Sequence, residues 1–187
     1  MKHIAIRYIY LSELSFVMAA VLCLLINAKV LFTSDGISFY GNFRNTIVPY
    51  VVGLALSGWF LARAADHLPA DGRENRLLRT ALRISAISLM GIIITPSFAG
   101  GLTSFVHVSF GGFLFLTQAV VSWSLLGSFW SNWTDRLLFM AHIAAVVAII
   151  LSFRRIGLLN LMIPAQVTAL LAFGALSARM AGRLAHE

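Results

Sequence analysis

Six apolar stretches, approximately residues 9 to 32, 48 to 65, 81 to 100, 104 to 129, 135 to 153 and 157 to 179, constrain this chain more than any other feature of it. Each is near the roughly 20 residues that a helix needs to cross a hydrocarbon core about 30 Å thick. Each is continuously apolar rather than alternating, which favours helices that satisfy their own backbone groups in lipid over a barrel of alternating strands. The reading is an all-α integral membrane protein, one bundle of six transmembrane helices occupying residues 1–187. Hydrophobic residues make up 59% of the chain and charged ones 11%, against about 25% charged residues in soluble domains. Almost nothing is left for a soluble domain.

Lys2 and Arg7 before the run Leu14 to Ile26 imitate a signal peptide. Glu13 at the entrance of that run and the lack of a small-x-small site after it argue for a retained first helix instead. Lys and Arg then set the orientation. With the N-terminus inside, Lys2, Arg7, Arg63, Arg73, Arg76, Arg79, Arg83, Arg136, Arg179 and Arg183 are cytoplasmic. Lys29, Arg44, Arg154 and Arg155 are outside, a split of ten to four that puts both termini in the cytoplasm. A bacterial inner membrane is the expected location. The net charge of +7 does not point to nucleic acid, because the basic residues flank apolar spans instead of clustering on a binding surface. Tyr8, Tyr10, Trp130 and Trp133 suit the inner interfacial belt. The single cysteine, Cys23, excludes an intrachain disulfide and a cysteine metal site.

Between the first two spans lies Thr33 to Pro49, a polar interruption carrying Asp35, Ser38, Tyr40, Asn42, Arg44 and Asn45. Such a loop is richer than chain reversal requires, and it reads as a polar lid on the outer end of the bundle. Pro49, Pro96 and Pro164 all fall on that side, where kinks would splay the helices and free carbonyls into a polar pocket. Asn160 and Gln166 lie near it. Arg154 and Arg155 sit in an outer loop against the charge rule, and serve an acidic partner such as Asp35 or a lipid phosphate in preference to forming a re-entrant hairpin. On the cytoplasmic side, Asp71 and Glu74 have the spacing of a capping box for a helix leading into the third span.

Polarity also enters the spans. At about 100° per residue, Ser104, His107, Gly111, Gln118 and Ser122 form one stripe about 60° wide, which should face the bundle interior. Gly111, Gln118 and Ser122 suit helix packing; His107 lies near the outer surface and joins the pocket. Glu13, Ala20 and Asn27 share a face of the first span, with Glu13 read as shallow and partly solvated. Asp135 and His142 share a face of the fifth, and His142, at mid-depth, reads foremost as a hydrogen-bonded core histidine. His107 and His142 differ in depth by roughly 10 Å at about 1.5 Å per residue, which disfavours bis-histidine haem. No cofactor and no metal is expected.

Six spans, the I-S-x-x-G segment Ile37, Ser38 and Gly41 with Pro49 opening the next span, and the H-x-x-x-G-G of His107, Gly111 and Gly112 resemble the DRAM/Sfk-type six-span membrane family and its bacterial relatives. In that family an acid follows the serine and another follows the proline; here Phe39 and Tyr50 stand in those places, so no role of the acids carries over. The resemblance implies membrane-lipid organisation or trafficking and no established catalysis. The functional expectation is a non-catalytic membrane protein whose outward polar pocket, lined by Asp35, Ser38, Tyr40, Asn42, Arg44, His107, Arg154, Arg155 and Asn160, contacts a lipid head group, anionic for preference, or a membrane partner or second copy. The alternatives are a lipid-modifying enzyme with His107 as general base oriented by Asp35, and a small proton-coupled transporter using Glu13, Asp135 and His142.

Overall fold

The computed structural model describes residues 2–32, 36–96, 100–130, 132–153, 156 and 158–183. Seven α-helices follow in order: α1 (Lys2–Ile26), α2 (Ile47–His67), α3 (Arg73–Ile94), α4 (Gly101–Ser124), the single turn α5 (Leu126–Phe129), α6 (Trp133–Ser152) and α7 (Met162–Arg183). All but α5 are long and apolar enough to cross a membrane. The six-span helical bundle expected from hydropathy is therefore the observed architecture.

The helices pack as antiparallel neighbours, α1 on α2, α2 on α3, α3 on α4 and α6 on α7, and α7 returns to close against α1. On α1 the buried residues Ala5, Ile9, Ser12, Phe16, Ala20 and Cys23 recur every three or four positions, one stripe of a 3.6-residue period. Small residues allow close approach where lipid supplies no hydrophobic drive for helix association. A Cβ on Gly53 of α2 would overlap that of Ala19 on α1. The most enclosed helix is α7, whose buried face carries Ala165, Ala169, Ala172, Gly174, Ser177, Ala178 and Ala181.

The α6–α7 hairpin is fastened along its length. Asp135, in the first turn of α6, is paired with both Arg179 and Arg183 in the last turns of α7. This matches each charge to its favourable helix end. His142 Nδ1 donates to the Ala169 carbonyl at 2.9 Å, and the Leu161 amide donates to Ser152 Oγ at 3.2 Å. His142 is thus a buried, hydrogen-bonded core histidine, although its Nε2 has no hydrogen-bond partner among the described residues.

Three local expectations are corrected. The first span ends at Ile26 and begins at Lys2, not at residue 9, because the helix continues through the charged N-terminal residues. Gly72, at φ +80, starts α3 in place of an acidic capping box; the Asp71 carbonyl instead accepts from Asn75 Nδ2 at 2.9 Å. The left-handed φ is one that glycine adopts without strain. The prolines do not splay the bundle. Pro49 and Pro164 are the third residues of α2 and α7, where amides lack helical partners anyway, and Pro96 lies past the end of α3.

Candidate functional site

The segment expected to be a polar lid is folded onto the bundle. A 3-10 turn, Ile37–Asn42, buries Ile37 and Tyr40. The Tyr40 hydroxyl donates to the Asn27 carbonyl at 3.2 Å, and Thr46 Oγ1 donates to the Tyr40 carbonyl at 2.6 Å. Burial pushes the Tyr40 phenol up, and the neighbouring Cys23 thiol adds in the same direction, so the hydroxyl stays a neutral donor. Gly41 lies flat on Tyr50, where a Cβ would stand 2.9 Å from the ring. Phe39 meets Phe43 edge to face at 5.2 Å between centroids. The Ile37 amide donates to Gln166 Oε1 of α7 at 2.8 Å, which latches the lid to the last helix.

Of the residues expected to line a site here, Ser38, Tyr40, Asn42 and Arg44 share this lid. Ser38 and Asn42 are half-buried, and Arg44 is exposed beside Asn45. Asn160 is exposed in the α6–α7 connection. Asp35, Arg154 and Arg155 lie outside the described residues. His107 is engaged within the α3–α4 hairpin: its Nδ1 donates to the Thr95 carbonyl at 2.5 Å. Thr95 closes α3 just before Pro96, so the ring caps carbonyls that the chain leaves without helical amides.

A second polar centre lies midway along α1, between the helices. Glu13 is the twelfth of 25 residues in α1, so roughly 16 Å of helix separates it from the N-terminal end at about 1.5 Å per residue. The sequence suggests a shallow, partly solvated carboxyl; in the structure Glu13 is half-buried among the helices. It packs against α7, where a Cβ on Gly174 would overlap its carboxylate. A cavity of about 20 Å³ opens there, lined by Ser12, Glu13, Ser57, Gln118, Phe173 and Gly174 among others. Ser12 Oγ donates to the Ser57 carbonyl at 3.0 Å and lies 2.8 Å from Ser57 Oγ. Gln118 Nε2 donates to Ser85 Oγ at 3.3 Å, and Gln118 Oε1 is buried with no hydrogen-bond partner among the described residues.

Ser12, Ser57, Ser85 and Gly174 carried no recognisable motif. The available signals were the Ser12–Glu13 pair and the small-residue spacing of α7, which marks a helix approached closely on several sides. In the α4 stripe, His107, Gln118 and Ser122 are buried as expected, whereas Gly111 faces open space. Comparison with protein-family models, curated proteins and solved structures returned no match.

Proposed function

We propose that the chain is a non-catalytic multi-pass membrane protein whose lid end contacts an anionic lipid head group. The observation that carries this reading is the lid itself: Tyr40, Thr46 and the Ile37 amide are spent on its own fold and on the latch to Gln166, while Arg44 remains exposed. The same connection exposes Lys29 and, at 67%, Phe32. Cationic donors beside an exposed aromatic ring suit a phosphate above acyl chains. The ten-to-four charge split supports an outward-facing lid and cytoplasmic termini, and the DRAM/Sfk-type resemblance supports a role in lipid organisation.

Mass spectrometry of lipids retained by the detergent-purified protein tests the proposal. Enrichment of an anionic lipid, lost in Arg44→Ala at an unchanged unfolding temperature, is expected. Unselective bulk lipid, identical in the variant, would sink it. The Glu13 carboxyl between the helices favours a second reading, a small ion-coupled carrier. Proteoliposome uptake driven by an ion gradient and abolished by Glu13→Gln is its required result.

A further inference from the structure

Glu13 brings a carboxyl to a bundle interior where, among the described residues, no basic side chain lines the cavity around it. A carboxyl in such a place is held neutral by a proton or balanced by a bound cation. The cavity wall is part apolar, from Phe16, Leu61, Leu170 and Phe173, and its polar part consists of the side-chain oxygens of Ser12, Ser57 and Gln118. With the Ser12 proton given to the Ser57 carbonyl, the Ser57 hydroxyl is the one that donates to Ser12 Oγ, which leaves acceptor lone pairs on both hydroxyls. Gln118, at 1% exposure, has its amide nitrogen committed to Ser85, so the oxygen is the end left for the cavity that Gln118 lines.

We infer that this cavity is a binding site for one sodium-sized monovalent cation, held by the Glu13 carboxylate with oxygens of Ser12, Ser57 and Gln118. Size, charge and donor type agree. A cavity of about 20 Å³ takes one water-sized occupant. One carboxylate neutralises one positive charge, whereas calcium sites gather six to eight oxygens with several carboxylates. Histidine and cysteine, which would select a transition metal, are missing from the lining. Gly174 completes the site by leaving room for the carboxylate against α7. The cation thereby joins α1, α2, α4 and α7 at one depth. This inference rests on the cavity alone and is independent of the lipid contact proposed for the lid.

The test is thermal unfolding of the purified full chain in detergent, with sodium chloride titrated against choline chloride at constant ionic strength and repeated across pH. A ligand that binds the folded state raises its stability saturably. Sodium should raise the unfolding midpoint above that in choline, with weaker apparent affinity at acidic pH as protons compete for Glu13. His142, which contacts Phe173 on the cavity wall, is a second titratable group nearby, and Glu13→Gln leaves it in place. That variant should lose the sodium response, and Gln118→Leu should weaken it about tenfold or more. Equal midpoints in sodium and choline at every pH, including a midpoint that follows pH alone, would overturn the inference. So would a sodium response that survives Glu13→Gln. Should Glu13→Gln fail to fold, an unchanged sodium affinity in Gln118→Leu overturns it equally.

Discussion

Two carboxylates on the interior of the same bundle have opposite surroundings. Asp135 is 1% exposed and paired with two arginines; Glu13 is half-buried, at mid-helix, and its cavity contains no cation of the protein's own. The first is a structural clasp that fastens α6 to α7. The second opens on a cavity that Ser12, Ser57 and Gln118 share with Phe and Leu side chains, against a helix held back by a glycine. A buried acid whose charge is already balanced has no need of a ligand, and one whose charge is unbalanced is where a ligand is expected.

The contrast fails if the two acids respond alike to mutation. Asp135→Ala should be the costlier change, about 2–3 kcal/mol in chemical unfolding in micelles, because it strands two arginines; their partial exposure keeps the loss below that of a fully buried pair. Next comes Gly174→Val, at about 2 kcal/mol from overpacking against Glu13. Adding Glu13→Ala should recover much of that loss, a non-additivity measured by the double-mutant cycle; full additivity would show that the carboxylate and α7 do not meet. His107→Ala should cost about 1 kcal/mol, the loss of one hydrogen bond at the end of α3. It should leave the lid's lipid retention unchanged, and a loss of retention would tie this ring to the lid. Smallest is Glu13→Gln in sodium-free buffer, within about 0.5 kcal/mol, since without a cation the carboxyl is held neutral by a proton and the amide keeps its shape. A large loss there would make Glu13 a clasp like Asp135.

The spans were legible because twenty apolar residues in lipid have few alternatives to a helix. Helix ends were not. Hydropathy begins a span where charge ends, whereas α1 runs from Lys2 through Arg7 without interruption, and Glu13 falls midway along the helix instead of at its start. Residues were easier to place than their partners. His107 and Gln118 belonged to a polar stripe visible in the sequence, yet Thr95 and Ser85 sit on another helix, and only packing brings them into reach. The lid's existence followed from its polarity, but not its closure, because Tyr40 buries itself through contacts to Asn27 and Thr46 that no motif announces. The prolines misled because position within a helix, not their number on one side, decides whether the axis bends.

The latch between Ile37 and Gln166 joins residues 129 positions apart. During synthesis, the lid emerges with the first hairpin and waits for the last helix to enter the membrane before this bond can form. A chain stopped after α6 therefore lacks both the acceptor for the Ile37 amide and the helix that supports Glu13. Biogenesis ties the two polar centres to one event, the insertion of α7, and a protease that cleaves at an unlatched lid would report how far assembly has gone.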